Sequence, residues 1–127
     1  MIERIARAVA FANEWAVDEA DSGVIILVPL DDGPVPIGVE PLERAGERPA
    51  ARLWTPVALA ETTDPADCLR RNAEIGIGSL ASRGNELGLT TVRFVNELDP
   101  RDARALFEAL ARQARELQQE LAKGEHA

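Results

Sequence analysis

The sequence predicts one α+β domain, with a single antiparallel β-sheet flanked by helices in the order αβββαββα. Apolar residues recur at helical spacing near both ends of the chain, and short β-branched or alternating runs lie between them. Neighbouring strands are joined by short turns, and strands joined in this way pair antiparallel. A chain of 127 residues suits one domain. We expect this domain to span residues 1–124 and residues 125–127 to form a frayed tail.

The first helix is predicted from Ile2 to about Asp18, because apolar residues recur there every three or four positions. The residues of this stripe are Ile2, Ile5, Val9, Ala12 and Ala16. A break at residues 21–23 follows, and the β-branched run at 24–28 predicts a buried strand.

A hairpin is predicted next, because the Asp-Asp-Gly-Pro sequence at 31–34 suits a turn. In its second strand Pro36 and Pro41 lack a backbone donor, so we expect that strand at a sheet edge or a bulge. A third strand is predicted because four residues at alternate positions share one face, namely Leu53, Thr55, Val57 and Leu59.

A middle helix is predicted to start with Asp64 as its cap and Pro65 in its first position. We expect it to end near Gly76 or Gly78. Its inner side is predicted to carry Cys68, Leu69, Asn72, Ala73 and Gly76. Asn72 is the polar member of that set, and we expect its amide to be satisfied by a nearby loop or strand rather than by a ligand.

The last part of the chain predicts two strands and a long helix. The strands, at 77–82 and 87–97, flank a turn at 83–85, with Val92 and Phe94 on one face of the second. Asp99 and Pro100 predict the start of the helix, and Gly124 its end. The apolar stripe of this helix, which we expect to be buried, is Ala103, Phe107, Leu110, Ala114, Leu117 and Leu121.

The stretch from Cys68 to Leu121 resembles the type III secretion chaperone-like fold, which includes the secretion chaperones and the YbjN family of bacterial proteins. It is similar to that family's middle helix, with Leu-x-x-Asn at 69–72, then a hairpin, then Leu-Asp-Pro at 98–100. Element order extends the resemblance over the whole chain. Members with known roles hold an effector protein partly unfolded, usually as homodimers, and the resemblance implies no cofactor and no reaction. The proline-rich second strand departs from the secretion chaperones, so the resemblance favours the YbjN branch.

Composition excludes several classes of function. The net charge is −8 and Lys123 is the only lysine, so no basic cluster is present to bind nucleic acid. Charges near the N-terminus do not fit a signal peptide, and the longest strongly apolar run, residues 24–30, is shorter than the roughly 20 residues that cross a bilayer as a helix. A single cysteine fits a reducing compartment. We therefore expect a soluble, cytoplasmic protein.

The sequence carries no recognisable catalytic or metal-binding motif. Cys68 and His126 are the only cysteine–histidine pair, and two ligands do not make a zinc site. The Gly-x-Gly at 76–78 lacks the rest of a phosphate loop, and the paired aspartates at 31–32 lack a calcium-loop pattern. We expect no catalytic residue, no cofactor and no metal.

The candidate binding surface lies on the first helix. At 100° per residue Phe11 falls among charged positions, and Trp15 lies one turn later. With their neighbours they form the predicted partner-binding set, which is Phe11, Trp15, Ala8, Glu14 and Asp18. Two interpretations stay open: these aromatics form a partner or dimer surface, or the helix is buried on two sides within one monomer.

These patterns favour a non-catalytic protein-binding domain, chaperone-like or regulatory, that acts as a homodimer on a protein partner. The alternative is a small-molecule-binding sensor domain, which needs an enclosed apolar pocket with a few polar groups.

Overall fold

The computed structural model describes residues 2–45 and 48–125 and confirms the α+β fold. The elements are, in chain order, α1 (Ile2–Asn13), β1 (Ala16–Ala20), β2 (Gly23–Leu30), β3 (Gly33–Ala45), β4 (Arg48–Leu59), α2 (Pro65–Asn72), β5 (Ser79–Arg83), β6 (Glu86–Phe94) and α3 (Pro100–Glu125). The strands form one antiparallel sheet in the order β1-β2-β3-β4-β6-β5. Two short 3-10 turns, Ala60–Thr62 and Val95–Glu97, follow β4 and β6.

The helices α1 and α3 contact each other and pack on the same face of the sheet. Alternate residues of each strand enter the core, so Val24 and Ile26 of β2 are buried while Ile25 between them is only half-buried. All six residues of the predicted α3 stripe are buried, which confirms that prediction. The core therefore lies between one face of the sheet and the two terminal helices.

The start of α3 is also confirmed, and its end differs by a residue. The backbone N–H of Asp102 donates to Oδ1 of Asp99 at 2.8 Å, which satisfies one of the free donors at the helix start. The helix continues through Gly124 to Glu125, so Gly124 does not end it. Residues 126–127 of the expected tail lie outside the described residues.

The first helix ends earlier than predicted, at Asn13. Glu14 adopts a positive φ of 61°, the backbone N–H of Trp15 donates to the carbonyl of Ala10 at 2.8 Å, and that of Glu14 donates to the carbonyl of Phe11 at 3.3 Å. These two bonds form a Schellman motif, which usually has glycine where this chain has glutamate. The stop was missed because no glycine marks it.

The early stop frees residues 16–20 to form β1, which pairs with β2. The buried side of α1 is Ile2, Ala6, Val9 and Ala10. Ala12 and Ala16 of the predicted stripe are exposed, the first on α1 and the second on β1.

Pro36 and Pro41 of β3 lie in an interior strand, so the edge alternative of the prediction was wrong, and the register of β3 with β4 shifts just after Pro41, between Leu42 and Ala45. The strand is staggered, because it pairs with β2 through Gly33–Val39 and with β4 from Gly38 onward. In the described pairing Pro36 therefore faces a neighbour only in β2, and Pro41 only in β4. Each proline, which lacks a backbone N–H donor, therefore lies where β3 pairs with a neighbouring strand on one side only. An edge strand is paired on one side in the same way, and this is where proline is tolerated in a sheet.

A β-bulge in β4 explains another difference. Leu53, Thr55 and Val57 are buried as predicted, but Leu59 is 51% exposed. The register with β6 shifts between Pro56 and Ala58, which reverses the alternation of side chains beyond that point.

The middle helix is shorter than predicted, since α2 ends at Asn72. Asp64 caps it as expected, accepting from the backbone N–H of Ala66 at 3.1 Å. The amide of Asn72 bonds to both backbone groups of Leu80 on β5, at 2.6 and 3.2 Å, so the predicted satisfied amide is confirmed. Leu69, predicted on the inner side, is 73% exposed.

Replacing Glu14 by glycine is expected to stabilise the protein. A side chain at positive φ costs about 1 kcal/mol, and glycine removes most of that cost in the folded state. The free energy of unfolding measured with urea is expected to rise by about 0.5–1 kcal/mol. Glu14→Ala is the matched control, because it removes the carboxylate but keeps the Cβ atom. Equal stability of the glycine and alanine variants would contradict the assignment of strain to this turn.

Candidate functional site

The predicted partner-binding residues do not form one surface. Phe11 is 89% exposed on the side of α1 that faces away from the core, and Ala8 is exposed one turn before it. Trp15 is partly buried and packs against the core, because the chain turns at Glu14 instead of continuing as a helix. Of the two aromatic residues, Phe11 alone is left fully in solvent.

Asp18 lies on a different side of the molecule from Phe11. It is paired with Ile25 of β2, and residues directly opposite in an antiparallel pair share a face of the sheet. Ile25 points away from the helices, since its neighbours Val24 and Ile26 are in the core. The structure therefore brings Phe11 and Ala8 together and separates them from Asp18.

A surface of apolar and charged residues lies on the side of the sheet opposite to α1 and α3. We call this surface the open face; it carries Ile25, Leu27, Pro36, Gly38, Trp54, Pro56, Gly88, Thr90 and Val92, with Asp18, Glu40 and Arg52 among them. These residues alternate with core residues along the strands and lie next to one another across them. In the described part of the chain both terminal helices pack on the other face. Val92 of this surface is 43% exposed.

Sequence reasoning missed the open face, although one signal was present. The apolar run at 24–30 is nearly continuous, and such runs are typical of strands buried on both faces. In the described part of the chain α1 and α3 both pack on one face of this sheet. Neither of them therefore covers the outward-pointing apolar residues of β2.

Trp54 forms the centre of the open face. Its indole lies directly over Gly88 of β6, where a Cβ atom would come within 2.4 Å of Cζ2 of the ring. Above the ring lies Arg83 of β5, whose guanidinium carbon is 4.4 Å from the ring centroid. Nη1 of the same guanidinium donates to Oε1 of Glu40 on β3 at 2.6 Å. Trp54 is thus only 7% exposed without any helix above it.

A groove of about 420 Å³ runs beside Trp54 on the open face. Its floor includes Ile25, Pro36 and Pro56, and its lining also includes the carboxylate residues Asp21, Glu40 and Glu86. An apolar floor with acidic side chains around it suits a ligand that combines apolar and basic groups.

A second apolar cavity, of about 400 Å³, lies between α2 and β5. Leu69, Cys68 and Leu80 are among its lining residues, and Cys68 is half-buried. The position of its candidate partner His126 lies outside the described residues. Among residues 2–45 and 48–125 there is no group of three or more His, Cys, Asp and Glu residues that could hold a metal ion.

An ion-pair network links α2 to α3. Arg71 donates to Asp67 at 2.8 Å and to Glu120 of α3 at 2.5 Å, and Arg70 also pairs with Asp67. The hydrogen bond from Arg71 is the main cause that lowers the pKa of Asp67, and the charges of both arginines act in the same direction. The charged form of Asp67 is therefore favoured in the folded protein.

No helix in the described parts of the chain is long and apolar enough to cross a membrane. The chain matches no model of a known protein family and no curated protein sequence.

Replacing Asp67 by Asn is expected to destabilise the protein in a pH-dependent way. A carboxyl group whose pKa in the folded protein is lower than its value of 3.8 in the unfolded chain stabilises the folded protein at pH values above 3.8. That contribution is lost as the pH falls through the pKa of the folded protein. The difference in Tm between the wild type and the variant should be present at pH 7 and shrink at acidic pH. Arg71→Gln should behave in the same way, because it removes the main partner. A difference that is constant with pH would contradict this account.

Proposed function

We propose that this chain is a non-catalytic, chaperone-like or regulatory domain of the cytoplasm that acts as a homodimer and binds a protein partner through the open face. The observation that carries the proposal is the cluster of apolar side chains around Trp54 on that face. In the described residues the open face has a tryptophan at its centre and both terminal helices on its other side. Large apolar patches on protein surfaces mark interaction sites, and tryptophan is enriched among the residues that contribute most to binding.

Charge indicates the kind of partner. The chain carries a net charge of −8, and Asp21 and Glu86 line the groove on the open face beside the ion pair of Arg83 with Glu40. A partner with basic residues around an apolar anchor complements this surface, since opposite charges speed association and disfavour wrong partners. The resemblance of residues 68–121 to the chaperone-like family supports the same proposal, because its known members bind client proteins.

Phe11 supports the homodimer. It lies on α1, on the side of the sheet opposite to the open face, so it can engage a second chain while the open face holds the client. Ala8 and Ala12, both exposed, flank it with small side chains. A symmetric contact between the α1 helices of two copies would cover Phe11 of both, since a two-fold axis brings the same patch together twice.

Changing Leu27 and Val92 to serine tests the client surface. Both lie on the open face and outside the core, so the double variant should fold and yet capture less client from an extract of the source cells. We expect quantitative mass spectrometry to show roughly a tenfold or greater loss, because loss of about 1.4 kcal/mol of binding free energy is a factor of ten. Leu69→Ser is the matched control, an exposed leucine on α2. Undiminished capture by the folded double variant would refute the proposed client surface.

Changing Phe11 to serine tests the dimer. Light scattering after size exclusion is expected to show a dimer for the wild type and a monomer for the variant. Stability of the monomer fold should change by no more than about 0.5 kcal/mol, because the side chain is 89% exposed. Trp15 is left unchanged because it is partly buried against the core. A substitution there would destabilise the fold, and loss of folding could then be mistaken for loss of association. A variant that stays dimeric would place the dimer contact elsewhere.

A further inference from the structure

Arg83 occupies a place on the open face that is built for a guanidinium group. Its side chain starts on β5, passes over Trp54 of β4 at 4.4 Å and ends in a 2.6 Å ion pair with Glu40 of β3. The face of an indole attracts cations, and a carboxylate is the strongest partner for a guanidinium. Trp54 and Glu40 together therefore hold the guanidinium group of Arg83.

This arginine position opens onto the groove of about 420 Å³, which both Trp54 and Arg83 line. Ile25, Pro36 and Asp21 also line this groove, so apolar side chains and a further carboxylate share it with the arginine position. An extended segment with a basic side chain next to apolar ones has the complementary pattern.

Trp54 also has an unmet hydrogen bond. Its side chain is almost fully buried, and its Nε1 has no acceptor among the described residues. Buried donors in proteins are nearly always paired. The indole N–H lies in the plane of the ring, so Arg83 stacked on the ring face leaves it unpaired, and an acceptor has to approach at the ring edge. A ligand carbonyl at that edge would provide the missing acceptor.

We propose that Trp54 and Glu40 bind an arginine side chain of the client, and that Arg83 is an internal competitor that holds this site closed until the client arginine replaces it. The inference rests on the proposed function and names the chemistry of the client segment: an arginine flanked by apolar residues. The side chain of Arg83 is 43% exposed, so water reaches its guanidinium group and can solvate it on release. The client segment gains the groove contacts, which Arg83 does not make.

The test uses a blocked pentapeptide of two valines, two leucines and a central arginine, and the same peptide with citrulline, which has the shape of arginine without its charge. The readout is the indole N–H signal of Trp54 in NMR spectra of the full chain; the protein has two tryptophans, and Trp15→Phe identifies the other signal. We expect the arginine peptide to shift the Trp54 signal and the citrulline peptide to bind about tenfold more weakly. Equal binding of the two peptides would overturn the proposal.

Variants of the unliganded protein test the competitor role. Arg83→Gln should bind the arginine peptide more tightly, by about tenfold if the open form is a tenth of the population, and Arg83→Lys should fall between it and the wild type. Adding Glu40→Gln to the Arg83→Gln variant should weaken binding of the arginine peptide, because Glu40 has no internal arginine partner in that background. Unchanged or weaker binding by a folded Arg83→Gln variant would overturn the inference. The peptide comparison uses the unmodified protein, so it stands even if a variant fails to fold.

Failure of this inference is distinguishable from failure of the proposed function. If the Leu27 and Val92 double variant loses the client while the two peptides bind equally, the open face binds a protein without an arginine site, and only the inference falls. If the double variant keeps the client, the proposed function falls, and the inference falls with it.

Discussion

The arrangement of this molecule depends on the packing of α1 and α3 together on one face of a single sheet. The two helices contact each other and bury alternate residues of the strands, with Phe107 and Leu110 of α3 fully buried against the sheet. Because α1 and α3 both pack on that side, neither of them covers the apolar residues on the opposite side of the sheet. The open face, its central tryptophan and the arginine stacked on it all follow from this one-sided burial.

Much of the fold was predictable because its signals are local. A proline after a capping aspartate starts α2 and α3, and a regular stripe of apolar residues defines the buried side of α3. The stop of α1 was not predictable in the same way, because Glu14 adopts a conformation that usually identifies glycine. The bulge that turns Leu59 outward is likewise a property of strand pairing, which depends on residues of β6 that are distant in sequence.

The candidate site was predictable only in part, for a related reason. Helical spacing placed Phe11 correctly away from the core, since it depends on a single helix. Trp15 and Asp18 lie beyond the turn at Glu14, so the same helical spacing did not apply to them. Trp54, Arg83 and Glu40 come from three strands, and only the order of those strands brings them together. A surface of this kind becomes visible once the sheet is known to have helices on one face.

The central claim is that a protein partner covers the open face, and NMR cross-saturation from the bound partner tests it most directly. Ile25 and Leu27 lie on the open face, whereas their neighbours Val24 and Ile26 lie in the core of the same strand. In the complex the account predicts that saturation of the partner attenuates the methyl signals of Ile25 and Leu27 and leaves those of Val24 and Ile26 largely unchanged. Attenuation confined to residues outside the open face would contradict it.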